Sequence, residues 1–376
     1  MQEDLKLLRL ASVGPLNILS NIQLFRDDCA ICTNESKSKF DLTILLIDTK
    51  NCRKMFEKLE FETSVGIGRY VFAFPERGAI YYRRRFLGQD IYMMLSNVSR
   101  ATQFWASKSL TRTVKLSFIT DLPRFEDMVN ALILTKLAQI DWLVLHAALV
   151  KSPSGGLLIS SYPDVGKTTT AFILSGVKNC QVLSDDIALV QSDGTSYGGG
   201  TCHQASHGGL ERLPVYTISE QRLVELSGAK ILYLRRVVAS IIRKLSFLPY
   251  APNFINKIAD ELNYVKSSRD FHKTVTDSTN ARYLLVLQIG RNGLTRVDED
   301  IMLRKLVAIQ RTEFYWFWSN FLLSTYSYID DEFDFECLGR RYHELLRTLI
   351  RKISPELYVV QASKPEDFPK LILGLL

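Results

Sequence analysis

The sequence predicts an α/β fold in which a mixed sheet is flanked by helices. Short apolar runs of the kind found in buried strands recur along the chain, and segments with apolar residues at helical spacing lie between them. Three of these runs follow one another closely, at 141–150, 156–159 and 181–190, with a helical segment at 168–174 between the last two. This order is typical of sheets whose strands are connected by helices.

The first sixty residues contain one clear strand, at 42–48, in mixed sequence whose function the residues do not indicate. Cys29 and Cys32 have the spacing of half a zinc site. The donors that could complete such a site are distant in the chain: Cys202, His203 and His207. The alternative, two ordinary thiols, is the commoner outcome of this spacing.

Two short strands are predicted at 70–74 and 79–82, because good turn residues separate them at 75–78. Three arginines follow at 83–85. They could meet phosphate or an acidic substrate, but a solvated strand end is the commoner explanation of such a run.

A strand at 113–119 and a helix at 125–138 lead into the apolar run 141–150, which contains His146. A single His inside an apolar strand is more often a satisfied core residue than a catalytic one. Its function therefore depends on the residues that surround it in the fold.

The apolar run 156–159 leads into a loop with most of the residues that a phosphate-binding loop requires, and the loop leads into the helical segment. The pattern G-x-x-x-x-G-K-[ST] is matched from 161 to 168 except at Ser161, where the first Gly would stand. Ser fits there if its backbone needs no positive φ. The alternative is a strand-to-helix turn that happens to contain Gly-Lys-Thr.

Each residue type in this loop has a physical reason. A helix N-terminus offers unpaired N–H groups and the positive end of the helix dipole to a phosphate. Lys would bridge the outer phosphates, and the next hydroxyl would ligate Mg²⁺, which assigns that metal to Thr168. The residues predicted to contact the nucleotide are Ser161, Asp164, Val165, Gly166, Lys167, Thr168 and Thr169.

Two adjacent carboxylates, Asp185 and Asp186, interrupt the apolar run 181–190. Beside a polyphosphate, one can hold Mg²⁺ while the other accepts the proton of an attacking hydroxyl. An acidic strand end that faces water is the alternative.

Four features follow one another in the chain: Leu-His-Ala-Ala-Leu-Val at 145–150, a Gly-Gly turn at 155–156, the loop, and Leu-Ser-Asp-Asp at 183–186. In this order they resemble the HPr kinase/phosphorylase family and its wider relatives. The resemblance implies a fold shared with phosphoenolpyruvate carboxykinases and the use of ATP and Mg²⁺ to phosphorylate a serine hydroxyl of a protein or peptide. It implies that Asp185 and Asp186 share the general-base and metal roles, with Asp186 as the expected metal ligand, and that His146 lines the active site. The family's Glu-rich signature after the second strand is missing, so HPr is not the expected acceptor.

The glycine-rich stretch 198–209 is typical of a lid or substrate clamp, or of a surface loop. His203, His207 and Arg212 are candidates to contact the transferred phosphoryl group. Residues 220–275 are basic at helical spacing, which suits a peptide surface or, more commonly, a solvated face. The elements predicted beyond them are a strand at 283–289, helices at 303–309 and 342–353, and a strand at 357–360.

The chain has 376 residues, 47% of them hydrophobic and 23% charged, with a formal net charge of +7. This composition predicts a globular protein and suits phosphate-bearing ligands without indicating nucleic acid. The apolar window 314–329 is too short and too polar for a membrane span and is predicted to be a buried or amphipathic helix. Six cysteines without a disulfide pattern and an acidic N-terminus without a signal-like run predict a cytoplasmic protein.

The chain is expected to divide into an N-terminal segment at 1–60, a nucleotide-binding core at 61–300 and a mainly helical part at 301–376. The function expected first is a kinase that transfers the γ-phosphoryl group of ATP to a hydroxyl. The alternatives are an ATPase or switch, a non-catalytic ATP-binding protein, and a kinase of small molecules. The sequence does not predict the oligomeric state.

Overall fold

A computed structural model describes residues 9–13, 16–21, 40–60, 64–86, 88–113, 124–176, 180–184, 187–191, 279, 281–353 and 355–376. The strands within these residues are β1 (Arg9–Val13), β2 (Leu16–Ser20), β3 (Leu42–Ile47), β4 (Val65–Gly66), β5 (Val71–Phe74), β6 (Ala79–Phe86), β7 (Gln89–Ser96), β8 (Thr102–Ser107), β9 (Trp142–His146), β10 (Ala148–Ser152), β11 (Gly155–Ser160), β12 (Gln181–Ser184), β13 (Ile187–Gln191), β14 (Ala281–Ile289), β15 (Gly293–Arg296) and β16 (Glu356–Ala362).

The helices within the same residues are α1 (Thr49–Glu60), α2 (Lys108–Thr113), α3 (Phe125–Gln139), α4 (Lys167–Ser175), α5 (Glu299–Glu313), α6 (Tyr315–Trp318), α7 (Phe321–Tyr326), α8 (Phe335–Ile353) and α9 (Phe368–Ile372). Short 3₁₀ helices lie at Pro75–Arg77, Pro365–Asp367 and Leu373–Leu375. The mixed α/β fold that the sequence predicts is confirmed.

The N-terminal strands form one eight-stranded sheet in the order β1-β2-β3-β8-β7-β6-β5-β4. The tight connection between β5 and β6 ends at Gly78, whose φ of +53° is easily adopted only by glycine. The predicted turn at 75–78 is therefore confirmed, and so are the strands on either side of it. The arginines at 83–85 continue β6 and do not follow it.

The sheet that positions the candidate site has six strands in the order β12-β10-β11-β14-β16-β15. β12, β11, β14 and β16 run parallel, because β10 is antiparallel to both β11 and β12, and β14 is parallel to β11 and β16. The carboxyl ends of these four strands therefore meet at one edge of the sheet. In open α/β sheets that edge is the usual place for a ligand.

The apolar run 141–150 is not the single strand that the sequence predicts, and this prediction is wrong. The run breaks at Ala147 into β9, which pairs with β13, and β10, which belongs to the six-stranded sheet. The predicted strand 181–190 divides in the same way into β12 and β13. The apolar pattern continues through both breaks because the residues of all four strands are mostly buried, so hydrophobicity does not reveal the change of sheet.

Two apolar cores cover the two faces of the six-stranded sheet. Along β11 the side chains alternate, with Leu157 and Ile159 in the core beneath α4 and α9, and Leu158 in the core that also contains α5, α3 and α8. α5 begins at a well-formed cap, where Asp298 Oδ1 accepts the Ile301 N–H at 2.7 Å. α4 and α5 thus lie on opposite faces of the same sheet.

The remaining predicted elements are partly confirmed. The helix at 125–138 is α3, the helices at 303–309 and 342–353 lie within α5 and α8, and the strands at 283–289 and 357–360 lie within β14 and β16. The window 314–329 forms two short helices, α6 and α7, where one was predicted, because Asn320 caps a new helix by accepting the Leu323 N–H.

Other predictions are not settled by these residues. Of the predicted strand 113–119, Thr113 ends α2 and the rest lies outside the described residues. Residues 198–209 and 220–275 also lie outside them. The three-part division of the chain stays a prediction. None of the helices in the described ranges is both long and apolar enough to cross a membrane.

Candidate functional site

The 161–166 loop joins β11 to the first residue of α4, Lys167, at the carboxyl edge of the six-stranded sheet. Its backbone is tightly curved at Asp164, with a φ of +60°, and at Gly166, with a φ of +116°. A Cβ atom on Gly166 would lie 2.7 Å from Cβ of Pro365, closer than real Cβ contacts. Both the backbone angle and the space therefore require glycine at this position.

Ser161 is accommodated without a left-handed backbone, since the described non-glycine residues with positive φ are Asn97, Asp141 and Asp164. Its side chain is buried, and its hydroxyl donates to the Tyr162 carbonyl at 2.9 Å. The condition under which Ser fits the first position of the pattern is met in this fold. The curvature that the loop needs is supplied at Asp164 and Gly166.

The Lys167 side chain is buried and points at His146, the last residue of β9. Its Nζ lies 2.9 Å from His146 Nε2 and 3.2 Å from Nδ1. His146 Nε2 lies in turn 3.3 Å from Oε2 of Glu313, the last residue of α5. An ammonium, an imidazole and a carboxylate thus form one buried polar cluster, called here the Lys167 cluster.

The backbone of His146 is held from two sides. Its N–H donates to Gln310 Oε1 at 2.7 Å, and its carbonyl accepts the Ser160 hydroxyl at 2.7 Å. Ser160 is the residue before the loop, so β9 and the loop are fixed to each other directly. Tyr342 of α8 supports the same contact, since its hydroxyl lies 3.4 Å from Gln310 Oε1 and donates to the Val144 carbonyl at 2.5 Å.

The threonines of α4 have different environments. Thr170 is buried, and its hydroxyl donates to the Gly166 carbonyl at 2.8 Å, which fixes the first turn of the helix. Thr168 and Thr169 are half-buried. Of the sequence-predicted contacts, Val165 is half-buried and Asp164 is exposed. The loop therefore offers a carboxylate and backbone amides, and the first turn of α4 adds two threonine side chains next to Lys167.

Asp185 and Asp186 lie outside the described residues. The residues that flank them in sequence are described: Ser184 pairs with Leu149, and Ile187 pairs with His146. Ile187 begins β13, and β13 pairs with β9. The last residue of β9 is His146, a member of the Lys167 cluster.

No group of three or more His, Cys, Asp or Glu side chains arranged to hold a metal occurs among the described residues. The predicted magnesium ligand Thr168 is in the described part and Asp186 is not. The residues of the zinc hypothesis, Cys29, Cys32, Cys202, His203 and His207, lie outside it too, as does Arg212.

Sequence reasoning missed Gln310 and Glu313. They are separated from His146 by more than 160 residues in the chain, as the 164-residue separation of Gln310 shows. One local signal was present, because a buried Gln in an apolar helix face requires a hydrogen-bonding partner. The signal marks a polar contact but does not name the partner.

Neither a protein-family model nor a curated protein matches this sequence.

Proposed function

We propose that the protein is an ATP- and Mg²⁺-dependent kinase that transfers the γ-phosphoryl group to a hydroxyl, with serine of a protein or peptide as the acceptor. The observation that supports this most is the placement of Lys167. It begins a helix directly after a tightly curved loop, at the carboxyl edge of a mostly parallel sheet, and its amine is buried beside an imidazole and a carboxylate. A lysine buried in this position suits a phosphate-binding role better than a structural one.

The residues of the loop fit a nucleoside triphosphate. Amides of Asp164, Val165 and Gly166 at the N-terminus of α4 would bind phosphate oxygens, and glycine at position 166 readily adopts the φ of +116° that the loop has there. Ser161 would keep the start of the loop fixed through its bond to Tyr162. Lys167 would neutralise charge on the outer phosphates.

The hydroxyls and carboxylates would complete the chemistry. Thr168 and Asp186 would hold Mg²⁺, which when bound neutralises the phosphates, and Thr169 offers a second hydroxyl. One of Asp185 and Asp186 would accept the proton of the acceptor hydroxyl. We place this reaction in the cytoplasm, a reducing compartment in which cysteines stay in the thiol form.

Glu313 and His146 would act on Lys167 before the nucleotide arrives. Burial of an ammonium lowers stability unless an opposite charge compensates it. Here the imidazole of His146 lies between the Lys167 ammonium and the Glu313 carboxylate. On nucleotide binding the ammonium would exchange this contact for phosphate oxygens. His146 and Glu313 are thus positioning residues for Lys167 in this proposal.

Two other functions, an ATPase or switch and a non-catalytic ATP-binding protein, differ from the proposal in what happens to the γ-phosphoryl group. An ATPase or switch would release phosphate to water, and a non-catalytic protein would bind nucleotide and release none. The buried cluster behind the loop favours a site in which charge is neutralised during transfer, since preorganised charges contribute to catalysis and are not needed for binding alone.

The proposal is tested by calorimetric titration of ATP and ADP with and without Mg²⁺. We expect Mg²⁺-dependent binding with little phosphate release, and a loss of about 2–5 kcal/mol of binding free energy in Lys167→Ala, because a buried charge partner is removed. Lys151→Ala, on β10 of the same sheet, is the matched control. Full affinity in Lys167→Ala would contradict the phosphate-binding role.

Further variants separate binding from transfer in the same assay. Ser161→Gly should leave nucleotide affinity unchanged or lower it, because Ser161 needs no positive φ. Asp185→Asn and Asp186→Asn should fold normally but lose phosphoryl transfer to labelled acceptor proteins. Full transfer in both would exclude the kinase.

A further inference from the structure

A cavity of about 360 Å³ opens beside the 161–166 loop. Val286 and Gln288, near the carboxyl end of β14, form one wall, and Tyr162 of the loop forms another. The third wall is one face of α5, where Ile301, Arg304, Lys305, Ala308 and Ile309 recur at helical spacing. The cavity is therefore continuous with the loop through Tyr162.

The described residues that line the cavity include two cations and no carboxylate. Arg304 is exposed and Lys305 is half-buried, and neither forms an ion pair or hydrogen bond with another described residue. Most other cations of the C-terminal helices do have partners, such as Arg351 with Glu299 and Arg341 with Asp141. The two cations are thus available to a ligand with negative charge.

α5 connects the cavity to the Lys167 cluster. Lys305 and Glu313 lie eight residues apart on this helix, which corresponds to about 12 Å along its axis. Glu313 contacts His146, whereas Lys305 lines the cavity. One helix therefore joins the cations of the cavity to a member of the Lys167 cluster.

The cavity and α4 lie on opposite faces of the six-stranded sheet. Val286 belongs to the core on the α5 face, while its neighbours Leu285 and Leu287 belong to the core beneath α4. Phosphoryl transfer needs the acceptor oxygen and the leaving oxygen in line on opposite sides of the phosphorus. A nucleotide at the N-terminus of α4 and an acceptor in the cavity would therefore approach the loop from different faces of the sheet.

We propose that this cavity binds the phosphoryl acceptor, and that the acceptor has a carboxylate or phosphate close to its hydroxyl. This inference rests on the proposed kinase function. In the reaction the acceptor oxygen forms a bond to the γ-phosphorus, the bond from that phosphorus to the bridging oxygen breaks, and ADP leaves with the bridging oxygen. The hydroxyl proton passes to one of the carboxylates Asp185 and Asp186.

The same anionic chemistry occurs in small phosphorylated alcohols and in acidic segments of proteins. Two probes distinguish them: glycerol 3-phosphate, and a pentapeptide in which two glutamates lie on each side of one serine. Their neutral counterparts are glycerol and the same peptide with glutamines. Each is titrated calorimetrically into nucleotide-free protein and into protein saturated with Mg²⁺ and ADP.

We expect one anionic probe to bind at least about tenfold more tightly than its neutral counterpart, because charge-assisted hydrogen bonds to the cations are lost in the latter. Arg304→Gln/Lys305→Gln should weaken that probe by roughly tenfold to a hundredfold and leave ADP affinity unchanged. Lys54→Gln/Arg347→Gln, at two exposed cations away from the cavity, removes the same charge and should change neither.

The inference is overturned if neither anionic probe is preferred, or if the Arg304/Lys305 double variant binds the probe like the unaltered chain. A parallel loss of ADP affinity in that variant would also overturn it, because the two cations would then serve the nucleotide. Failure of the kinase proposal looks different. The chain would show no Mg²⁺-dependent ADP affinity, while the nucleotide-free titration would still show the anion site and its loss in the double variant.

Discussion

At the scale of single residues, two buried lysines show how the same side chain can serve the fold or the site. Lys136 of α3 donates to the backbone carbonyls of Val98, at 2.7 Å, and of Arg100. Lys167 instead contacts the imidazole of His146, with the carboxylate of Glu313 behind it. The Lys136 ammonium holds the backbone at 98–100 in place through its two carbonyl contacts. The Lys167 ammonium can instead leave His146 and Glu313 and bind an anionic ligand.

Lys136 gives a prediction about pH. Burial lowers its pKa from 10.5 to about 8, and the nearby Asp41 charge opposes this shift only in part. The unfolded chain therefore binds this proton more tightly than the folded chain between these pH values, so folding is penalised fully below pH 8 and the penalty disappears as the pH rises toward 10.5. Unfolding by denaturant should show the unaltered chain gaining about 2–3 kcal/mol over Lys136→Met across this window.

Lys54→Met provides the control for Lys136, because Lys54 is exposed on α1. The pH-dependent change in stability should be larger for Lys136→Met than for Lys54→Met, because Lys136 is buried. A pH-independent difference for Lys136→Met would show that the carbonyl contacts fully offset burial of the ammonium.

At the scale of elements, the strand, loop and helix around Lys167 could be predicted because their signals are local. An apolar run, a Gly-Lys-Thr sequence and a short helix follow one another between Gly155 and Ser175. The break at Ala147 could not be predicted, because it depends on pairing of β9 with β13, which lies outside the local pattern. The same holds for Pro365, whose contact with Gly166 joins residues distant in the chain.

α4 has a glycine at each end, and the two should respond differently to alanine. At Gly166 a Cβ combines a φ of +116° with the contact to Pro365, so Gly166→Ala should destabilise the protein by about 1–3 kcal/mol or more. At Gly176 the φ is −81° and the nearest atom to an added Cβ is 3.5 Å away. Gly176→Ala should therefore be neutral or stabilise by up to about 1 kcal/mol. Thermal and denaturant unfolding measure both.

A third variant divides the effect at Gly166 into its two causes. Pro365→Gly removes the atom that an added Cβ would meet, so Gly166→Ala/Pro365→Gly should recover the steric part and keep the cost of the backbone angle. Equal stabilities for Gly166→Ala and Gly176→Ala would contradict this account of the loop.

At the scale of the whole molecule, the two large sheets share one apolar core. It contains Ile18 and Ile44 of the eight-stranded sheet together with Leu158 and Val286 of the six-stranded sheet. The sequence indicates apolar strands in both halves but not that they share a core, because the contacts join residues far apart in the chain. The position of Glu313 in the candidate site has the same cause, because it depends on the packing of α5 against β9 and β14.

Tyr326 of α7 tests whether the shared core makes the molecule unfold as one unit. Its buried hydroxyl donates to the Gly78 carbonyl at 2.9 Å and accepts the Val98 N–H at 3.3 Å, so it joins a C-terminal helix to the eight-stranded sheet. Tyr326→Phe should lower the free energy of unfolding by about 1–3 kcal/mol, since it removes the acceptor of the buried Val98 N–H and one of the two donors to the Gly78 carbonyl. Tyr328→Phe, at a residue that is 78% exposed, should change it little.

The location of the change is the decisive measurement for Tyr326→Phe. If the shared core couples the sheets, native-state hydrogen exchange should show the same loss of protection in β7 of the eight-stranded sheet and in β14 of the six-stranded sheet. Equal losses would mean that a ligand at the 161–166 loop also stabilises the N-terminal strands, because binding to the folded state stabilises the whole cooperative unit. Loss confined to β7 would show that the two sheets unfold separately and that nucleotide binding protects only the six-stranded sheet.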